Sequence, residues 1–351
     1  MQVLIHCYNL GIITNISLIH MQTDTRLEQL KIWLSSELHI NNYTIETASA
    51  DASFRRYFRI TTNTHSQIIM DAPPDKEDCK PFVHIATLIE TANVQAPHIF
   101  NWNKEMGFML LSDLGSEPYL NHLSDSTAED LYIDAIDAII KMQSIKNSIP
   151  AYDNQLLHFE MSLFEDWYLN KHLNIQLDKQ QKTTLNTMLD LLASNALQQP
   201  QVFVHRDYHS RNLMLTEKSN PGVIDFQDAV LGAITYDLVS LLKDCYIAWP
   251  RNRVIKWLNY FRINNPLTNP IDENIFIRWF DLMGLQRHLK VLGIFCRLNY
   301  RDNKANYLND LPLTLAYVMD TCQRYDELTP LHDLILSLNI TPDQTIMDKL
   351  Q

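Results

Sequence analysis

The sequence predicts an α+β protein with a small, mixed N-terminal lobe and a larger, mainly helical C-terminal lobe. Apolar and polar residues alternate over residues 54–60, and a short apolar run follows at 67–70, as in strands. From residue 126 onward, apolar residues mostly recur at helical spacing. The 351 residues, 46% of them apolar, suffice for one large core or two smaller ones.

In the N-terminal lobe, the sequence predicts two helices around a group of strands. Residues 26–38 carry an apolar stripe at i, i+3 and i+4 spacing, and residues 82–91 form the second predicted helix. The predicted strands are residues 54–60, residues 67–70 and the apolar run before Ser112.

The C-terminal lobe is predicted to consist mainly of helices. Ser126 and Glu129 have the spacing of a capping box at a helix start, and Asp178 and Gln181 are also spaced for a cap. A further helix should begin at Asp237, whose charge suits a helix N-terminus. The other predicted helices span residues 159–169, 178–192, 271–283, 286–298, 311–325 and 331–338.

Charge and cysteine usage exclude several classes of function. A net charge of −12 argues against nucleic acid or an anionic membrane surface as a partner. The five cysteines are scattered without a C-x-x-C pair, so we expect no zinc site and no disulfide framework. Reduced thiols fit a cytoplasmic protein best. Residues 1–23 are treated as an extension of uncertain status, because the apolar residues 1–20 lack the features of a signal peptide.

The stretch from Val202 to Gln227 carries the chemistry. Two apolar runs, residues 202–204 and 222–224, look like short buried strands that each end in polar residues. The first is followed by His-Arg-Asp with Asn212 five positions after Asp207, and the second by Asp225. This spacing is that of a kinase catalytic loop. Asp207 would orient and deprotonate a hydroxyl, while Asn212 and Asp225 would offer oxygens to Mg²⁺ on nucleotide phosphates.

The same residues also fit two core strands with ordinary turn formers at their ends, because Asp and Asn are common in turns. We prefer the catalytic interpretation, since turn preference does not account for the combined order of strand, motif, second strand and Asp-Phe.

Several segments of this chain resemble the aminoglycoside-phosphotransferase family of small-molecule kinases. HRDYHSRN at residues 205–212 and GVIDFQDAVLGAITYDLVSLLKD at 222–244 carry this likeness. DASFRRYFR at 51–59, MDAPP at 70–74 and the stretch 286–302 resemble a bacterial branch of the family that phosphorylates N-acetylmuramate and N-acetylglucosamine at C1.

The resemblance implies a two-lobed protein-kinase-like fold with ATP and Mg²⁺ bound between the lobes. The nucleotide-binding lobe would span residues 24–114 and the catalytic, sugar-binding lobe residues 115–351. The Ser112 carbonyl and the Leu114 amide would hydrogen-bond adenine, and Asp237 would brace the catalytic loop.

The expected phosphate-binding loop, residues 47–53, departs from the kinase pattern. The chain has no glycine between Gly11 and Gly107, and the strand at 67–70 carries no lysine for the phosphates. Small residues still let backbone amides approach a phosphate. The predicted nucleotide-binding residues in this region are Asp51, Ser53, Arg55 and Arg56; a solvated strand face is the alternative for the arginines, Arg59 included.

The acceptor sugar should lie beside Asp207. Basic residues of the stretch 286–301 could share a helix face and bind a carboxylate on the sugar, although a solvent-facing basic helix explains them equally well. The candidate substrate-binding residues are His209, Asp228, Asp244, Arg297 and Arg301.

The sequence therefore predicts an ATP- and Mg²⁺-dependent sugar kinase, monomeric and cytoplasmic, that acts on the anomeric hydroxyl of the two amino sugars in peptidoglycan recycling. Two alternatives remain open. The acceptor could be another small alcohol, such as an aminoglycoside, choline or a different sugar. The missing glycine loop and lysine also fit a pseudokinase that binds nucleotide without turnover.

Overall fold

The computed structural model describes residues 24–50, 54–146 and 148–351, with the side chains of residues 49 and 50 left out. The chain divides into two compact units, Met1–Thr44 and Ile45–Gln351. In the first unit the described structure is helix α1, Thr25–Ser36, whose N-cap Asp24 accepts a hydrogen bond from the Leu27 amide. A helix predicted over residues 26–38 is thus confirmed, and the proposed extension 1–23 lies outside the described residues.

A five-stranded sheet opens the larger unit, with the strand order β1-β2-β3-β5-β4. β2–β3, β3–β5 and β4–β5 pair antiparallel, with Phe58 opposite Ile69 and Met70 opposite Met109. The two strands β1 and β4 were not predicted from the sequence. The strands are β1 Thr44–Ala50, β2 Arg56–Thr61, β3 Ser66–Asp71, β4 Ile99–Asn103 and β5 Phe108–Ser112.

Helices dominate the rest of the unit. One lies between the strands of the sheet, and the others follow it along the chain. A π-helical segment, Phe164–His172, continues directly from α4. The helices are α2 Lys80–Thr91, α3 Ala128–Met142, α4 Asn154–Leu163, α5 Lys179–Gln198, α6 Tyr236–Leu242, α7 Arg251–Asn264, α8 Glu273–Asp302, α9 Leu311–Arg324, α10 Thr329–Ser337 and α11 Gln344–Leu350, with short 3₁₀ turns at Tyr119–Asn121, Ala305–Asp310 and Asp326–Leu328.

One predicted capping box is confirmed and the other is wrong. Asp178 accepts from the Gln181 amide at 2.8 Å, and the Gln181 side chain accepts from the Asp178 amide at 2.9 Å. At α3 the N-cap is Thr127 without a side-chain cap bond, because its hydroxyl donates to the His122 carbonyl. The helix therefore starts two residues after the predicted Ser126.

Helix α8 replaces two predicted helices. It runs unbroken for 30 residues, begins after the N-cap Asp272, and ends before Asn303 in the left-handed conformation. Gly284 lies inside the helix rather than in a break between two helices. A mid-helix glycine costs about 1 kcal/mol relative to alanine, and burial of the surrounding apolar side chains offsets it.

Two small sheets carry the catalytic stretch. β6, Gln201–Val204, pairs antiparallel with β9, Val230–Ala233, and β7, Leu213–Met214, pairs antiparallel with β8, Gly222–Val223. β6 and β8 confirm the strands predicted around residues 202–204 and 222–224. Within the described part of the chain, no helix combines the length and apolar character needed to span a bilayer. The predicted lobe boundary after Leu114 falls inside the larger unit and stays a prediction.

Candidate active site

A buried carboxylate holds the loop that follows β6. The amides of His205 and Arg206 donate to the two oxygens of Asp237, at 2.8 and 3.1 Å. Arg206 adopts a positive φ of 79°, a conformation that a non-glycine residue keeps only where surrounding contacts impose it. Asp237 therefore braces this loop, as the sequence resemblance implied, and the brace compensates the strained backbone at Arg206.

His205 connects this loop to the segment after β8. Its Nε2 lies 3.0 Å from the Ile224 carbonyl, and the Asp207 amide donates to its Nδ1 at 3.2 Å. This pattern requires the neutral tautomer with the proton on Nε2. Burial lowers the pKa of His205 to about 4, so the ring keeps that tautomer at neutral pH. It thereby joins the backbones on either side of the site.

Asp207 presents a partly exposed carboxylate, with 46% of its side chain accessible. Burial of the group acts to raise its pKa, but the positive charges of Lys290 and Arg287 outweigh this and lower the pKa to about 2. Arg287 Nη2 lies 3.9 Å from Asp207 Oδ1. Asp207 is thus ionised across the physiological range and can accept a hydrogen bond from a hydroxyl.

Asn212 and Asp225 lie next to each other, as the sequence predicts. The Asn212 amide nitrogen is 3.0 Å from the Asp207 carbonyl and 3.4 Å from Asp225 Oδ2. Because Asn212 uses its amide nitrogen here, its carbonyl oxygen is the atom that could ligate a cation. Asp225 adopts a φ of 63°, and Gln227 donates to its other oxygen at 2.8 Å. A carboxylate beside an amide oxygen fits a hard divalent cation.

A cavity of about 410 Å³ adjoins these two residues. Its apolar walls come from the sheet, including Tyr57 and Ile68, and from Met214 and Ile224 on the other side. Such a slot between apolar walls suits a planar base. The proposed adenine contacts, Ser112 and Leu114, and the proposed cation ligands, Asn212 and Asp225, line the same cavity.

The predicted phosphate-binding residues are placed differently from one another. Asp51 and Ser53 lie outside the described residues. Arg55 forms a buried ion pair with Glu77 at 3.1 Å, and Arg56 pairs with the fully buried Asp71. Neither arginine is among the residues that line the cavity, and their nucleotide role stays a prediction.

Two other arginines do line the cavity. Arg59 binds Asp113 through Nε at 2.6 Å and Nη2 at 3.0 Å, so a carboxylate already neutralises its charge. Arg211 lies over the Tyr246 ring at 3.5 Å and forms no ion pair within the described chain. Arg211, directly before Asn212, is thus the cavity arginine whose charge is available to a phosphate.

The candidate acceptor residues also separate into groups. Asp244 is buried and accepts from Ser210 and from the Tyr246 amide, which favours a structural role. His209 packs edge-on against Tyr246 with its Nδ1 buried and without a partner among the described residues. The Asp228 side chain is exposed, while its carbonyl accepts from Arg206 at 3.3 Å.

The two basic candidates on α8 differ in burial and in whether they have an ion-pair partner. Arg301 is exposed and pairs with its neighbour Asp302. Arg297 is half-buried, and within the described chain it makes no hydrogen bond or ion pair.

An ion-pair network behind Asp207 was missed by the sequence analysis. Glu160, buried on α4, pairs with Arg206 of the catalytic loop and with Lys290 of α8, the latter at 2.9 Å. Arg287 donates to Ser240 at 2.6 Å. Arg287 and Lys290 are only 6% and 4% exposed, so a solvent-facing basic helix is wrong for these two. The apolar residues around Arg287 and Lys290 in the sequence could have indicated that the two side chains are buried. No comparable sequence feature indicated the burial of Glu160.

Comparison with known proteins gives consistent results. A family model described as "Phosphotransferase enzyme family" matches residues 44–265. A relative from Pseudomonas aeruginosa, named N-acetylmuramate/N-acetylglucosamine kinase, is 45% identical over 333 residues, covering 91% of this chain and 98% of the relative. A relative of the same name from Neisseria meningitidis is 39% identical over 322 residues, covering 88% of this chain and 95% of the relative.

Solved structures agree in fold at low sequence identity. Plasmodium vivax ethanolamine kinase has a TM-score of 0.62 at 12% identity, covering 86% of this chain and 91% of that one. The ADP-bound aminoglycoside phosphotransferase APH(2'')-Ib has a TM-score of 0.56 at 15% identity, covering 85% of this chain and 99% of that one. These likenesses confirm the two-lobed protein-kinase-like fold. Taken with the match over residues 44–265, they lead to one conclusion: this chain belongs to the phosphotransferase enzyme family.

Proposed function

We propose that this protein is an ATP-dependent kinase that phosphorylates the anomeric C1 hydroxyl of N-acetylmuramate and N-acetylglucosamine. The observation that carries the proposal is the half-exposed, ionised Asp207 beside the Asn212–Asp225 pair at the edge of the cavity. The two relatives at 45% and 39% identity, each aligned over most of this chain, carry the names of these sugars and support this choice of acceptor.

In the proposed reaction, Asp207 accepts a hydrogen bond from the C1 hydroxyl and aligns its oxygen with the γ-phosphorus. A bond forms between that oxygen and phosphorus as the bond from phosphorus to the ADP oxygen breaks, and the proton passes to Asp207. With a pKa of about 2, Asp207 is a weak base and acts mainly by orientation. An anomeric hydroxyl is more acidic than an ordinary alcohol, so this weak base suffices.

The remaining residues bind and position the nucleotide. The Leu114 amide and the Ser112 carbonyl would pair with adenine, and both residues line the cavity. Asn212 and Asp225 would hold Mg²⁺, which would neutralise charge on the phosphates. Arg211 would add positive charge on the same side and take over part of the role of the absent lysine.

The network around Glu160 favours a neutral or acidic acceptor over a cationic one. A single carboxylate, Glu160, is shared by two cations, Arg206 and Lys290, and Arg297 lies nearby on the same helix without a partner in the described chain. A polycationic aminoglycoside would meet repulsion there. The pseudokinase alternative is disfavoured because Asp207, Asn212 and Asp225 lie together beside a nucleotide-sized cavity.

A sugar 1-phosphate is the kind of product that a nucleotidyl transferase consumes. We therefore assign the reaction to the recycling of cell-wall sugars toward nucleotide-activated precursors. Action as a monomer in the cytoplasm stays a prediction; burial of Cys79, Cys245, Cys296 and Cys322 as free thiols accords with it.

The experiment is ATP turnover measured with N-acetylmuramate, N-acetylglucosamine, glucose and kanamycin as separate acceptors. We expect ADP release with the two amino sugars and little with glucose or kanamycin. Turnover confined to kanamycin or glucose would support kinase activity but would contradict the proposal that the acceptor is an amino sugar. ATP binding without turnover on any acceptor would instead support a pseudokinase.

A further inference from the structure

Arg297 is a cation without a direct ion-pair partner in the described chain. It is half-buried on α8, and its Nε is fully shielded from solvent without a hydrogen-bond partner in the described chain. Neither an ion pair nor a cation–π contact involves this guanidinium within the described residues. Burying an unpaired charged group is costly, so such a group needs a partner, which can be an ordered water, an ion or a bound ligand.

The surroundings of Arg297 disfavour a positive charge. Burial lowers its pKa, and Arg301 one turn further along α8 lowers it again, against the opposing effects of Asp302 and Glu160. The buried carboxylate in its vicinity, Glu160, already accepts from Arg206, Lys290 and the Tyr152 hydroxyl. Glu160 is therefore committed to the catalytic loop. An anion entering beside Arg297 would relieve this local excess of positive charge.

Arg297 lies on the same helix as Lys290, whose charge acts on Asp207. It follows Lys290 by seven residues, about two helical turns, so both side chains lie on one face about 10 Å apart along the axis. α8 packs closely on the end of α4, where a Cβ at Gly293 would come within 2.3 Å of the carbonyl of Leu163, the last residue before the π-helical segment. That segment contributes Asn170, whose Oδ1 is also buried and unpaired among described residues. Arg297 and Asn170 therefore provide an unsatisfied donor and an unsatisfied acceptor on two elements that pack against each other.

We propose that Arg297 binds the carboxylate of an acidic amino-sugar acceptor and thereby sets the preference between acidic and neutral acceptors. This inference rests on the proposed function. N-acetylmuramate differs from N-acetylglucosamine by a lactyl ether on O3 that ends in a carboxylate. A planar guanidinium with free N–H groups matches a carboxylate in charge and geometry. Asn170 accepts an N–H or O–H of the same sugar.

The test compares kcat/KM for the two sugars in the wild type, in Arg297→Gln and in Arg278→Gln. Arg278 lies on the same helix and pairs with Glu327 at the surface, which makes it the matched control. For Arg297→Gln we expect kcat/KM on N-acetylmuramate to fall roughly 10- to 100-fold, mostly through KM, as for loss of one charged hydrogen-bonded pair. The loss should be confined to the acidic sugar, and Arg278→Gln should leave both values within about twofold.

A second acceptor separates charge recognition from general damage. The carboxamide of N-acetylmuramate keeps the size of the lactyl group and removes its charge. Wild-type protein should use this amide as poorly as Arg297→Gln uses the acid, and combining both changes should cost little more. An equal loss on both sugars, additive losses in this cycle, or no loss would each overturn the role of Arg297. Wild-type protein inactive on both sugars would reject the proposed function as well.

Discussion

The catalytic loop and the buried face of α8 both act on Asp207, but they do so by different means. The loop is held mainly through its backbone: Asp237 binds two backbone amides, and His205 joins backbone groups on both sides of the site. The α8 face acts through charge, because Lys290 and Arg287 lower the pKa of Asp207. The first region fixes where the carboxylate is, and the second fixes its ionisation.

This difference affects how each region should respond to substitution. A change in the loop should alter catalysis directly, because it moves the reacting atoms. A change in the ion-pair network around Glu160 and Lys290 should first alter stability, because it leaves a charge buried without its partner. The four predictions below test that division, beginning with the largest expected effect.

Replacing Asp207 with asparagine should lower kcat by about 10²- to 10⁴-fold, the usual range for loss of a positioned base. The variant should remain folded at the assay temperature, because the Asp207 side chain is partly exposed and the hydrogen bond from its backbone amide to His205 is unaffected. Its thermal stability should fall, because the buried Lys290 and Arg287 lose a nearby negative charge. Steady-state kinetics and thermal unfolding check both parts. A near wild-type kcat in this variant would show that Asp207 does not take part in the chemical step.

Glu160→Gln should destabilise the protein by about 3–5 kcal/mol, because two buried cations lose their shared carboxylate. Glu165→Gln is the matched control, since Glu165 pairs with the exposed Lys182 and should change stability by less than about 1 kcal/mol. Denaturant unfolding of both variants measures this difference. Equal changes in unfolding free energy for the two variants would show that the ion-pair network around Glu160 does not stabilise the fold.

Stability should depend on pH through Asp237. Burial raises its pKa to about 7, against the opposing effect of two amide donors, whereas an unfolded aspartate titrates near about 3.9. Between these two pKa values, Asp237 keeps its proton in the folded state and loses it in the unfolded state. The contribution of Asp237 to the free energy of unfolding therefore declines as the pH rises from about 4 to about 7. The slope should reach about 1.4 kcal/mol per pH unit.

The unfolding free energy of the wild type minus that of Asp237→Asn isolates this contribution from pH 4 to 8. The opposite contribution of His205, whose pKa is about 4, is present in both proteins and cancels. We expect the difference to shrink toward pH 7. A difference that is constant with pH would mean that Asp237 braces the loop in its ionised form throughout.

Two glycines of α8 provide the smallest and most local test. Gly293→Ala should cost about 1–3 kcal/mol, because its new methyl group would lie 2.3 Å from the Leu163 carbonyl. Gly284→Ala, with its nearest neighbour at 3.4 Å, should be neutral or stabilise by up to about 1 kcal/mol. Similar unfolding free energies for the two variants would contradict the close approach of α8 to the end of α4 at Leu163.

The sequence was most informative where function depends on local order. The positions of Asp207 and Asn212 after one short apolar run and of Asp225 after the next were enough to place these side chains together, because the backbone between them is short. The fold class followed from periodicity. The unit boundaries and the full length of the 30-residue α8 could not be predicted from periodicity. A glycine inside a buried helix, such as Gly284, cannot be distinguished in the sequence from a break between two helices.

The sequence was least informative where a residue's role depends on distant partners. Lys290 and Glu160 are 130 positions apart, and nothing in either local sequence indicates that they meet. Asp244 is predicted to contact the sugar, and the sequence gives no sign that its buried carboxylate also accepts hydrogen bonds from Ser210 and Tyr246. Burial, which separates a structural charge from a ligand-binding one, exists only once the helices have packed.

The most direct test of the central claim is to follow the reaction of N-acetylglucosamine labelled with ¹³C at C1, using ATP and wild-type or Asp207→Asn protein, by NMR. The account predicts a carbon–phosphorus coupling at C1 with the wild type, and a rate reduced about 10²- to 10⁴-fold in the variant. Phosphate on another carbon would reject the anomeric acceptor, and equal rates for the two proteins would contradict the role of Asp207.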